Sequence, residues 1–155
     1  WNPAIHPLVH IDTIVANALK TAANAVVVTG GEPSLFNLKP LTDSLKVHGI
    51  KTFIETAGIK PLTGDWDWIC LSPKRQSPPH KSLYQIANEL KVIVYEDEDF
   101  LWAEETAAKV NNKCLLYLQS EWSRYEQNIP LIVDYVKLYP KWNVSLQAHK
   151  FMHIP

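Results

Sequence analysis

The chain has 155 residues, 46% hydrophobic and 20% charged, and its 15 Lys+Arg against 16 Asp+Glu leave a formal charge of −1. That length builds one domain with a sizeable core. The near-neutral balance offers no phosphate-tracking stripe, which argues against a nucleic-acid partner. No apolar run approaches the roughly 18–20 residues of a membrane span, so no membrane partner is expected.

Taken in chain order, helix-like and strand-like segments alternate. Ile14, Val15, Ala18 and Leu19 recur at helical spacing over Ile11 to Thr21, with Asp12 placed to cap. Ala25 to Val28 is a short apolar run of the kind buried in a parallel sheet. Leu38, Leu41 and Leu45 mark a second helix that Gly49 ends. Strands are expected at Lys51–Ile54 and Trp66–Leu71, a helix near Leu83–Leu90, and a strand at Val92–Tyr95. The acidic run Glu96 to Asp99 suits a helix N-terminus, and that helix ends near Asn111–Asn112. A strand follows at Leu115–Leu118. Pro130 is read as sitting in the first turn of a helix that reaches Leu138. Trp142–Leu146 is the last strand, followed by a tail to Pro155. Alternation of this kind predicts an α/β fold with a mostly parallel sheet, either doubly wound or an open partial barrel.

Cys70 and Cys114 are the only cysteines, and each borders an apolar run. They read as core thiols in a reducing cytosol, and two such distant residues cannot by themselves supply the thiolates of a cubane cluster. His6 and His10 have a spacing that can present two metal ligands on one helix face, but Pro7 between them argues against it.

Ligands in parallel α/β folds bind where strands deliver their C-terminal ends into loops. Polar residues follow five of the six expected strands: Thr29 to Pro33, Glu55 to Gly58, Ser72 to Lys74, Gln119 to Trp122 and Gln147 to Lys150. Of these, Thr29-Gly30-Gly31-Glu32-Pro33 is the most informative. Adjacent glycines admit close approach and leave carbonyls free, and a carboxylate follows at once, so the segment favours an ammonium group over a phosphate. The same residues also fit a plain strand-to-helix turn.

Thr29 to Pro33 resembles the GGEP motif of radical S-adenosylmethionine enzymes. Asp67-Trp68-Ile69-Cys70-Leu71-Ser72-Pro73-Lys74 and Val144-Ser145-Leu146-Gln147-Ala148-His149-Lys150, with the closing Ile154-Pro155, resemble 7-carboxy-7-deazaguanine synthases. The resemblance implies an incomplete (β/α) radical-SAM partial barrel. It also implies a lyase of queuosine biosynthesis that contracts the ring of 6-carboxy-5,6,7,8-tetrahydropterin by a radical route. S-adenosylmethionine would meet Gly30, Gly31, Glu32, Ser72, Pro73, Lys74 and the segment Gln119, Ser120, Glu121 and Trp122, whose types after Gln119 vary in the family. Thr29 and Pro155 would face the pterin. Gln147, His149 and Lys150 suit tail anchoring and ligand binding equally.

The family also uses a [4Fe–4S] cluster on three closely spaced cysteines and a Mg²⁺ ion. Neither ligand set is found between Trp1 and Pro155, so both are expected upstream of Trp1, with residues 1–155 as the core lacking the first strand and cluster loop. Such a piece is expected to be inactive alone, and the family often forms homodimers. The competing readings are another radical S-adenosylmethionine enzyme of the activase type and a non-catalytic α/β binding domain that has lost its cluster.

Overall fold

A computed structural model describes residues 8–154. Six parallel strands form one sheet: β1 (Ala25–Val28), β2 (Lys51–Thr56), β3 (Trp68–Leu71), β4 (Glu89–Val94), β5 (Leu115–Ser120) and β6 (Trp142–Ser145). They are hydrogen-bonded in sequence order, β1 to β6. A doubly wound sheet would reverse direction at a switch point, and none occurs. The fold is therefore the open partial barrel, wound in one sense.

Right-handed crossovers in a sheet wound one way bring the connecting helices to the same face. These helices are α2 (Lys39–Val47), α3 (Leu83–Ile86), α4 (Glu98–Ala107) and α5 (Tyr125–Leu138); α1 (Ile11–Leu19) precedes β1 and packs with α2, and β2 runs to β3 without a helix. Strand alternation follows: Thr52, Ile54 and Thr56 on β2, and Leu90, Val92 and Val94 on β4, are buried beneath the helices. The main core joins Leu71, Leu83, Leu90, Val92, Val94, Leu118, Ile132 and Trp142. A second, smaller cluster of Val15, Leu41, Leu45 and Ile50 underlies β1 and α2.

The other sheet face carries Phe53, Glu55, Trp68, Cys70, Glu89, Lys91, Ile93, Tyr117 and Gln119, paired across the strands in register. The seams differ in length: β4 pairs β5 through six residue pairs, whereas β3 meets β4 only at Cys70–Glu89 and Leu71–Leu90.

Several boundaries depart from the sequence expectation for physical reasons. His10, not Asp12, caps α1, its Nδ1 accepting from the Asp12 amide at 3.3 Å. That use as a cap also accounts for His10 without a metal, while His6 lies outside the described residues. Helix α3 stops at Ile86, and Glu89 and Leu90 belong to β4, because Asn88 is bound to Ile69 on β3 through its amide and its side-chain oxygen. Pro130 is the sixth residue of α5, not in its first turn. The amide it lacks would have paired with the carbonyl of Glu126, an exposed residue of the first turn. Asn128 secures that turn, its buried Nδ2 donating to the Val94 and Tyr95 carbonyls at 2.9 and 3.1 Å. The tail is not extended throughout: Ala148–Met152 forms a short helix, α6, closed by His153 in the left-handed region at φ 53°.

Candidate functional site

The loop after β1 crosses Gly30 and Gly31, both left-handed at φ 83° and 56°. A side chain at either would meet no atom within 4 Å, so the constraint is conformational and the space beyond is open. Glu32 then turns the chain into a 3₁₀ turn, Pro33–Leu35, and caps it by accepting from the Ser34 amide at 3.0 Å. The same carboxylate accepts from the Ala57 amide at 2.8 Å and, in a very short bond, from the Thr56 hydroxyl. Burial alone would raise the Glu32 carboxyl. The bonds from Ser34, Thr56 and Ala57 outweigh it and hold the group ionised, below its ordinary value. Glu32 thus ties the loop after β1 to the end of β2, and its negative charge stays at the sheet's outgoing edge.

Beside it, Ser72 and Pro73 are buried at the end of β3, the Ser72 amide donating to the Thr56 carbonyl at 2.8 Å. Lys74 extends over them, with Nζ 3.4 Å from Ser72 Oγ. Burial lowers its ammonium below the ordinary value; Glu55 and Glu32 oppose the shift and Lys91 adds to it. Thr29, Gly30, Gly31, Glu32, Glu55, Thr56, Ala57, Ser72 and Lys74 together line one cleft of about 230 Å³. The double glycine, Ser72 and Lys74 thus border a common space, whereas Pro73 does not line it. Two carboxylates opposite one lysine suit a zwitterion, an ammonium with a carboxylate. The volume is below the roughly 300–1,000 Å³ of a small-molecule pocket, a size that suits one end of a larger ligand.

A second cleft of about 310 Å³ adjoins it at Lys74, bounded also by Pro73, Arg75, Ile93, Tyr95 and Trp102. Arg75 is held there by Glu96 and by buried Asp99, at 3.2 and 3.4 Å.

Gln119 to Trp122 lie two strands from Ser72 and do not line the first cleft. Gln119 and Ser120 are part of β5, not residues following it. Gln119 is buried on the open face and accepts from Ser145 Oγ at 3.0 Å. Ser120 is on the helix side by alternation, its hydroxyl donating to the Glu121 carbonyl. Glu121 caps the next 3₁₀ turn through the Ser123 amide at 2.8 Å, and Trp122 is exposed. Pro155 lies outside the described residues.

Sequence reasoning missed the polar floor of the open face. Lys91 Nζ bridges to Glu55 Oε1 at 2.6 Å, across β3. Glu89 accepts from Trp68 Nε1 at 3.2 Å and Cys70 Sγ at 3.3 Å. By sequence Glu55 reads as following its strand and Glu89 as part of a helix; the available signal is the alternation of charged and apolar residues from Glu89 to Val92, which extends β4 toward its N-terminus.

The cysteines do not fit an iron–sulfur cluster. Burial, reinforced by Glu89, pushes the Cys70 thiol far up, and burial pushes Cys114 up to about 11. Thiolate ligation requires the reverse. Among the described residues no group of three His, Cys, Asp or Glu is arranged to hold a metal, and no helix is long and apolar enough to cross a membrane.

No protein-family model matches the chain. A protein named 7-carboxy-7-deazaguanine synthase from Flavobacterium psychrophilum is 54% identical over 155 residues, 100% of this chain and 73% of that protein. One of the same name from Synechocystis is 42% identical over 154 residues, 99% of this chain and 74% of that one. The crystal structure of QueE from Escherichia coli matches with a TM-score of 0.79 at 26% identity, over 90% of this chain and 64% of that chain. Identity of this extent over the whole length of the chain leads to one conclusion: the chain belongs to the 7-carboxy-7-deazaguanine synthase family.

Proposed function

We propose that this chain is the core of a 7-carboxy-7-deazaguanine synthase that binds S-adenosylmethionine by its aminoacyl end in the cleft between the loops after β1, β2 and β3. One observation carries the proposal: Gly30, Gly31, Glu32, Ser72 and Lys74 converge on one cleft whose charges match a zwitterion. In this reading the free carbonyls of the glycine loop accept from the ligand's ammonium. The Glu32 charge favours that ammonium while its oxygens hold the loop in place. Lys74 meets the carboxylate. Lys74 borders both clefts and Pro73 lines the second, Gln119 to Trp122 close the far side, and Thr29 and Pro155 face the pterin.

When bound beside a reduced [4Fe–4S] cluster, S-adenosylmethionine supplies radical initiation for ring contraction of 6-carboxy-5,6,7,8-tetrahydropterin. Among the described residues no group of three His, Cys, Asp or Glu is placed to hold that cluster. The contribution of these residues is to fix the ligand's geometry and to keep water from the reacting centre. Mg²⁺ binding, a homodimer and a cytoplasmic setting belong to the same reading.

The test uses the complete protein, reconstituted anaerobically. It is expected to convert the tetrahydropterin to 7-carboxy-7-deazaguanine with release of ammonia, followed by mass spectrometry. Gly31→Val puts a β-branched residue at φ 56° and fills the open side of the cleft. It is expected to weaken S-adenosylmethionine about tenfold or more in calorimetric titration. Undiminished affinity, or a wild-type protein that makes no product, refutes the assignment.

A further inference from the structure

The C-terminal segment is attached in an unusual way. Helix α6 is five residues long and follows β6 at the sheet's far edge. The backbone hydrogen bonds of residues 147–154 stay within the segment, from Lys150 to Gln147, His153 to Lys150 and Ile154 to His149. Directional contact with the body comes instead through rings. Phe151 meets Trp122 edge-on at 5.4 Å between centroids and Tyr125 at 5.1 Å, and Trp122 and Tyr125 lie 5.6 Å apart. Lys150 Nζ stands 5.8 Å over the Trp122 ring. Trp122 and Phe151 remain 39% and 47% exposed, so packing in a closed core does not explain the arrangement.

The cluster continues toward β4. Arg124 lies over the Tyr95 ring at 4.8 Å, with Nη2 3.4 Å from its hydroxyl. Tyr95 lines the second cleft. The ends of β4, β5 and β6 are thereby joined by one line of ring and cation contacts. The segment Gln119–Trp122 is anchored as far as Glu121: Gln119 is buried and bound to Ser145, Ser120 is paired with Val94, and the Glu121 amide donates to the Val94 carbonyl at 2.9 Å. Its far end depends on what holds Trp122.

We propose that Phe151 is a positioning residue: by clasping Trp122 and Tyr125 it fixes the Trp122 end of the Gln119–Trp122 segment, and with it that part of the far wall of the cofactor site. This rests on the reading of that segment as part of the S-adenosylmethionine site. Edge-to-face pairs are individually modest, and two of them acting together bias the closed arrangement roughly five- to tenfold.

Two readouts on the full protein test this. Hydrogen exchange at amides 121–125 in Phe151→Ala is expected to accelerate about five- to tenfold, with exchange in β4 and β5 unchanged. In turnover, Phe151→Ala is expected to raise KM for S-adenosylmethionine about fivefold while kcat stays within about twofold. Phe151→Tyr, which keeps the ring, is expected to restore both. Trp122→Leu removes the other half of the clasp and is expected to accelerate exchange at 148–154. The inference is overturned if Phe151→Ala leaves amides 121–125 as protected as wild type, if Phe151→Tyr fails to rescue, or if exchange accelerates while KM does not move. A wild-type protein that fails to bind S-adenosylmethionine overturns the underlying assignment instead, whatever the exchange shows.

Discussion

Replacing Glu32 by glutamine isolates what the carboxylate does for the fold at the site. In the native protein its Oε1 accepts from the Ser34 amide and the Thr56 hydroxyl, and its Oε2 from the Ala57 amide. Glutamine preserves the first oxygen, but its NH₂ then opposes the Ala57 N–H, donor against donor. One charge-assisted bond is lost outright and the other two become neutral. Hydrogen bonds to charged groups contribute about 1.5–3 kcal/mol, so Glu32→Gln is expected to destabilise by about 2–3 kcal/mol. For a domain of this size that lowers Tm by about 4–10 °C. The pH dependence gives the sharper test. The folded-state value lies below the ordinary 4.5, so the stabilisation is fully present above that value and is lost as pH falls through the folded one. Urea unfolding of both proteins from pH 7 to pH 3.5 measures the gap between them. The gap should be constant down to about pH 4.5 and narrow below it. A gap under about 0.5 kcal/mol at pH 7, or one that does not narrow in acid, refutes the view that the carboxylate ties the two loops together.

Gly58→Ala should be costly for a different reason. Its φ is 73°, and a methyl there would come within 2.7 Å of Leu83 Cδ2 and 2.8 Å of Leu71 Cδ1, both on fully buried side chains. Strain and overpacking together are expected to cost about 2–4 kcal/mol by chemical denaturation, and a loss below about 1 kcal/mol contradicts the packing described. The two thiols should differ in reactivity. Cys114 is half-buried with its thiol at about 11, whereas Cys70 is buried and pushed further up. Ellman's reagent at pH 8 should therefore label Cys114 slowly and Cys70 only on unfolding; rapid labelling of Cys70 in the folded protein is the contrary result.

Much of the architecture was legible because it depends on local chemistry. The glycine pair and Glu32 announce an acceptor-rich turn from residue type alone, and its place after an apolar run fixes which edge of the sheet it occupies. What was not legible depends on partners distant in sequence. Nothing near Pro130 indicates that Asn128 binds carbonyls at Val94 and Tyr95 and so secures a helix turn ahead of the proline. Asn88 ends α3 early because it binds Ile69, a residue on another strand. The Glu55–Lys91 pair forms only once β2, β3 and β4 are in register, 36 residues apart along the chain. The segment Gln119–Trp122 was readable as polar but not as divided between two faces, because the strand runs two residues further than its apolar stretch.

The two-pair join between β3 and β4 has a mechanical meaning. It separates the strands bearing the glycine loop and Lys74 from those bearing Tyr95, Gln119 and Trp122. With so few ladder bonds, the sheet resists splaying least along that line. A cofactor resting on both halves would act as a brace across it, so the molecule should stiffen where it is thinnest when its site is filled.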